Sequence, residues 1–89
     1  MSAPAQTTTI RILLFGPMAG VAGADSLELE IDGSATTCSA LRDLLTSKHP
    51  HLARMLPAHR FAVNSQFVRD DQRVTPADEV ALIGMVSGG

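Results

Sequence analysis

The sequence predicts an α+β domain in which a mixed β-sheet carries one main helix on one of its faces. Three patterns point to it. Leu27-Glu28-Leu29-Glu30-Ile31 alternates strictly between apolar and acidic residues, as a strand covered on one face does. Cys38, Leu41, Leu44 and Leu45 recur at i, i+3, i+6 and i+7, which is one stripe of an amphipathic helix. Val80-Ala81-Leu82-Ile83 is apolar at every position, as in a central strand covered on both faces.

Each element follows in chain order. Residues 1–9 are polar and are expected to form a disordered N-terminal tail. Ile10-Arg11-Ile12-Leu13-Leu14-Phe15 is rich in β-branched and apolar residues and stops at Gly16-Pro17, so it reads as the first strand. Residues 16–23 hold three glycines and a proline and read as a turn or loop. The alternating strand comes next and ends at Asp32-Gly33-Ser34. Thr37 is placed to cap the helix, which runs to Lys48-His49 and is ended by Pro50. Leu52 to Leu56 reads as one more helical turn before Pro57. Phe61-Ala62-Val63 and Phe67-Val68-Arg69 read as strands joined by a hairpin-type turn at Asn64-Ser65-Gln66. Residues 70–73 are a polar loop, Thr75-Pro76-Ala77-Asp78 is a second turn, and Glu79 to Val86 is the last strand. A hairpin, a crossover helix and a long apolar strand, in that order, fit a β-grasp (ubiquitin-like) arrangement. There the last strand lies mid-sheet, parallel to the first. The domain is expected to span residues 10–86, with 87–89 a flexible Gly-Gly tail.

Composition excludes several classes. Seven basic and nine acidic residues leave a net charge of −2, too little positive charge to neutralise a phosphate backbone. The three aromatic residues, Phe15, Phe61 and Phe67, offer little for stacking bases. The single cysteine, Cys38, allows no intrachain disulfide, no multi-cysteine zinc site and no four-cysteine cluster. No apolar run spans a bilayer, and the N-terminal residues lack the charge-then-apolar order of a signal peptide, so a cytoplasmic protein is expected.

No self-sufficient active site is visible. His49, His51 and His59 lie around Pro50 and Pro57 and read as exposed loop histidines, so no metal site is expected; a three-histidine metal domain is the rival. Asp70-Asp71 and Asp78-Glu79 sit on turns, where adjacent carboxylates cap or are solvated. Cys38 falls on the apolar helix stripe and reads as a small core residue. The chain ends Ser87-Gly88-Gly89, directly after an apolar strand. Two residues without a Cβ can thread a slot too narrow for any side chain. The carboxylate of Gly89 is the only reactive group they carry. Attack by such a carboxylate on the α-phosphate of ATP gives an acyl-adenylate, which a sulfur or amine nucleophile displaces.

Ile12-Leu13-Leu14-Phe15-Gly16, Thr37-Cys38-Ser39-Ala40-Leu41-Arg42, Ala62-Val63-Asn64, Asp78-Glu79-Val80-Ala81 and Val86-Ser87-Gly88-Gly89, in this order, resemble the MoaD type of ubiquitin-like sulfur carrier, the molybdopterin synthase small subunits of the MoaD/ThiS superfamily. Two departures stand out: Ala77 where the family often has Gly, and Gly84-Met85 where it commonly has Pro-Pro. The resemblance implies that an E1-like adenylyltransferase spends ATP to adenylate Gly89 and that a sulfurtransferase supplies the sulfur of a Gly89 thiocarboxylate. It implies that Ser87 and Gly88 enter a large synthase subunit, in a heterotetramer of two small and two large chains. There the sulfur passes to the cyclic pyranopterin precursor in molybdenum cofactor biosynthesis. On this reading the chain is a non-catalytic carrier with no tightly bound cofactor.

Alternation also proposes a partner face. Ile10, Ile12 and Leu14 share one side of the first strand, and Arg11, Leu13 and Phe15 the other. In the last strand Leu82 and Gly84 oppose Ile83 and Met85. Phe15, Phe67, Ile83 and Met85 are the candidates for an apolar docking patch, with Phe67 equally compatible with the core. The alternative functions are a sulfur carrier for thiamin thiazole or tRNA thiolation, a ubiquitin-like modifier, and a β-grasp interaction module with an idle terminus.

Overall fold

The computed structural model describes residues 7–85. β1 (Thr7–Leu14) and β2 (Ser26–Asp32) pair antiparallel, with Ile10 opposite Leu29 and Ile12 opposite Leu27. β7 (Val80–Gly84) lies beside β1 in parallel, with Ile12 opposite Val80 and Leu14 opposite Leu82. Its other edge takes β4 (His59–Val63) antiparallel, and β5 (Gln66–Phe67) closes the sheet in the order β2-β1-β7-β4-β5. The apolar β7 is therefore central and parallel to the first strand, as a β-grasp sheet requires.

The helix α2 (Cys38–Lys48) forms as its stripe predicts, and the Thr37 hydroxyl accepts the Ala40 N–H at 3.1 Å. Cys38, Leu41 and Leu45 are buried against the inward residues of the sheet: Ile10, Ile12, Leu14, Leu29, Phe61 and Leu82. The crossover continues through α3 (Pro50–Ala53) and a 3₁₀ turn (Leu56–Ala58), which bury Leu52 and Leu56. β3 (Thr36–Thr37) and β6 (Arg73–Val74) form a separate two-stranded ladder at the start of α2. Among the described residues, no helix is long and apolar enough to cross a membrane.

Several boundaries differ from the sequence reading, each for a local reason. β1 begins at Thr7 rather than Ile10, because Asp32, Ile31 and Glu30 supply partners for Thr7, Thr8 and Thr9. Residues 16–23 are not a loop: Gly16–Ala22 is a short helix, α1. Gly16, at φ +56°, turns the chain out of β1, and Pro17 starts the helix. Met18 anchors it in the core, and Gly23 ends it in the left-handed region with its N–H on Ala19 O at 2.9 Å. Breaker residues thus serve here as the start and stop of one helix. β4 starts two residues before Phe61, β5 is Gln66–Phe67 rather than 67–69, and β7 ends at Gly84. Val86 and the tail at 87–89 lie outside the described residues, as do residues 1–6.

Cys38 is fully buried, and burial pushes its thiol from 9.0 up to about 11, helped by the charge of Asp70 and opposed by Arg42. A folded value above the unfolded one means that its contribution to stability is complete below pH 9.0 and is lost as pH rises toward 11. Native protein at neutral pH should therefore leave Cys38 unmodified by iodoacetamide, whereas protein in denaturant should react; mass spectrometry reads both. Leu41→Ala should cost about 2–5 kcal/mol in urea unfolding, the range for a buried leucine that leaves a cavity.

Candidate functional site

Residues paired across neighbouring strands share a face, so the register sorts the sheet into two sides. Leu14, Leu82 and Phe61 form one inward row. Leu13, Ala81, Ala62 and Phe67 form the next, on the side away from α2. Phe67 therefore belongs to the open face and is 51% exposed, which resolves its parity. Phe15, Phe67 and Ile83 surround a depression of about 320 Å³ with Ala62 and Ala81 in it and Ser65 and Glu79 at its edge. The short alanines leave the hollow, and the longer side chains form its walls. The Arg60 guanidinium lies over the Phe67 ring at 5.1 Å. Met85 is also exposed, but it does not line the depression.

One corner of this face is built by Asn64. Asn64 and Ser65, at φ +53° and +70°, make the two-residue turn between β4 and β5, a conformation that Asn tolerates well. The Asn64 side-chain N–H donates to Asp78 Oδ1 at 2.9 Å, and its Oδ1 accepts the Glu79 N–H at 2.9 Å. Asp78 Oδ2 accepts the Thr75 N–H at 2.8 Å and the Thr75 hydroxyl at 3.2 Å. The Asn64 bond, then the Thr75 backbone bond, holds the Asp78 carboxyl below the usual carboxylate range. Ala62-Val63-Asn64 and Asp78-Glu79-Val80-Ala81, far apart in sequence, are thus one structural piece.

Opposite that corner lies the root of the C-terminal segment. The Met85 N–H donates to Ala58 O at 2.7 Å. A proline at 85 would have no N–H for this bond. His59 pairs with Gly84, and its Nδ1 lies 2.7 Å from Met55 O. Expected as an exposed loop histidine, His59 is in fact buried, because the connection from α3 folds under the sheet and delivers it as the first residue of β4. Arg42 reaches the same connection, donating to Leu56 O at 2.9 Å and His59 O at 3.3 Å, while pairing with Asp70 at 3.2 Å. Its guanidinium also lies 5.2 Å from the centre of the Phe61 ring. Sequence reasoning missed Arg42, since a cation beside a helical stripe carries no sign of what it reaches.

His49 and His51 sit apart from His59, in a hollow of about 370 Å³ beside Val21 and Leu52. Among the described residues, no group of three or more His, Cys, Asp or Glu is placed to hold a metal ion. Asp70 pairs with Arg42 and Asp78 braces a turn, so neither carboxylate pair gathers into a site. Ser87, Gly88 and Gly89 fall outside the described residues.

A mixed five-stranded sheet with one covered and one open face places the chain in the ubiquitin-like β-grasp class. The chain belongs to the ThiS family, whose profile matches residues 12–89. It is 33% identical to a protein of Chlamydomonas reinhardtii named molybdopterin synthase sulfur carrier subunit, over 90% of this chain and 98% of the relative. The crystal structure of SAMP1 from Haloferax volcanii superposes with a TM-score of 0.72 at 30% identity, covering 92% of this chain and 100% of that one. A chain of a complex of subunits 1 and 2 of a Helicobacter pylori molybdopterin-converting factor shares the fold at 20% identity, with a TM-score of 0.62 and coverage of 92% of this chain and 100% of that one.

Two outcomes follow from this geometry. Asp78→Ala should lower stability at neutral pH. The wild type should lose the difference as pH falls below the ordinary 3.8 and through the lower folded value, which urea unfolding across the acid range checks. Phe67→Asp should change unfolding free energy by less than about 1 kcal/mol, because half of the ring is already in water.

Proposed function

We propose that this chain is a molybdopterin synthase sulfur carrier subunit. The observation that carries the proposal is the likeness to the Chlamydomonas reinhardtii sulfur carrier subunit over 90% of this chain, with a family match that reaches Gly89. In this reading an activating enzyme of the E1 type adenylates the Gly89 carboxylate with ATP, releasing pyrophosphate. Sulfur delivered by a sulfurtransferase displaces AMP and leaves a thiocarboxylate. The depression walled by Phe15, Phe67 and Ile83 docks a large synthase subunit, and Ser87 and Gly88 pass into it. The thiocarboxylate then gives its sulfur to the cyclic pyranopterin precursor, within an assembly of two small and two large chains in the cytoplasm. The open face supports a carrier: Phe15 and Phe67 stand exposed around the depression, and in this reading they dock a partner that brings the reacting groups. A cofactor of its own is unnecessary, since the sulfur travels on the chain terminus.

The likeness to SAMP1, a small archaeal modifier protein, favours a second reading, a ubiquitin-like modifier joined to lysine amines. Both readings use an activated Gly89, and they differ in the nucleophile that receives it.

Reconstitution separates them. Protein bearing a Gly89 thiocarboxylate, made by intein cleavage, should yield molybdopterin with a large subunit and cyclic pyranopterin monophosphate, and the plain carboxylate form should not. No product, with the large subunit active on its own carrier, overturns the proposal. Phe67→Asp should weaken binding to the large subunit by about 30-fold, as the loss of a central aromatic contact does, which calorimetry measures.

A further inference from the structure

His59 is the only buried polar residue among those described, 7% exposed. Its Nδ1 faces Met55 O at 2.7 Å, and a carbonyl can only accept, so Nδ1 carries a proton and donates it to that bond. Nε2 is buried and has no partner. It faces Gly84: a Cβ built on Gly84 meets Nε2 at 3.2 Å, closer than a side chain normally sits. A buried polar atom without a partner costs stability, and a phenyl ring fills such a space without that cost. What the imidazole adds is a fixed orientation, because one end is tied to Met55 while the other occupies the space over Gly84, the last residue of β7.

The neighbouring contacts converge on the same place. His59 is paired with Gly84, the Met85 N–H is held by Ala58 O at 2.7 Å, and the Arg42 guanidinium holds His59 O from the helix side. The backbone through Met85, from which the chain runs on to Gly89, is therefore fixed by residues 58 and 59. Proline stiffens such a segment by locking φ. Gly84-Met85 has no such lock and depends on the grip from β4.

We infer that His59 is a positioning residue for the reactive terminus: its ring, seated against Gly84 and tied to Met55, sets the course on which the chain leaves the sheet. The inference rests on the sulfur-carrier reading. It assigns His59 no contact with substrate and no proton transfer.

The experiment uses the full chain with a Gly89 thiocarboxylate and the variants His59→Asn, Gly84→Ala and the double variant. Asn keeps an N–H for Met55 O and empties the space over Gly84; Ala at 84 fills that space from the other side. Each single variant should slow sulfur transfer at saturating large subunit by about tenfold, as a displaced reacting group does, with docking affinity within about twofold of wild type. Exchange of the Met85 amide should rise in each single variant while core amides keep their protection. The double variant should recover both readouts. Wild-type transfer rates and unchanged Met85 exchange in both single variants overturn the inference, and so does a loss that the double variant fails to restore. If wild-type protein makes no molybdopterin, the carrier reading falls, and Met85 exchange alone decides whether His59 holds the end of β7.

Discussion

β7 is the last strand of the described residues and the middle strand in the sheet, and the other elements are arranged around that placement. Its parallel pairing with β1 requires the chain to leave the β1–β2 hairpin, cross over one face and return, which is the task of α2, α3 and the 3₁₀ turn. Its antiparallel pairing with β4 then brings the end of that crossover beside the end of β7. A strand paired on both edges exposes neither, and its side chains divide by alternation. Val80 and Leu82 enter the core, while Ala81 and Ile83 reach the face that α2 leaves open. Core, docking face and the course toward the terminus are three consequences of one strand's position.

Two polar devices keep that strand in register. At its start, Asn64 bonds to both Asp78 and Glu79, so the β4–β5 turn and the turn ahead of β7 cannot slide past each other. At its end, Ala58 and His59 hold Met85 and Gly84, and Arg42 ties His59 back to the helix. Hydrogen bonding of this kind adds modestly to net stability. Its larger effect is directional: a one-residue slip of β7 would turn Ala81 and Ile83 inward and Val80 and Leu82 outward.

The proposed function, with its chemistry on the terminal carboxyl, suits this division of labour. It asks of the carrier a rigid body with an open face and an end at Gly88-Gly89 without side chains, and of the partners the ATP site, the sulfur source and the pterin. On that proposal selectivity lies in the shape of the open face rather than in reactive side chains. Cys38, the one thiol in the chain, is buried and held protonated at neutral pH.

The sequence by itself determined the elements whose signals are local and periodic. The alternation of Leu27–Ile31, the stripe from Cys38 to Leu45, the Thr37 cap and the apolar run at 80–83 were all legible, because burial on one face leaves a period of two or 3.6 in the chain. Their order was enough to name the sheet, and alternation was enough to put Phe15 and Ile83 on its outer face. The tertiary structure alone decided what depends on residues distant in sequence. Gly16 to Gly23 folds as a helix because the core accepts Met18, a gain no local propensity records. Phe67 took its side only when Ala62 was placed opposite it. His59 reads as a loop histidine until the crossover carries it under Gly84, and Arg42 only as a residue off the apolar helix stripe until Leu56 and His59 turn their carbonyls toward it. Periodicity reports which face of an element is covered; only the assembled chain shows what covers it.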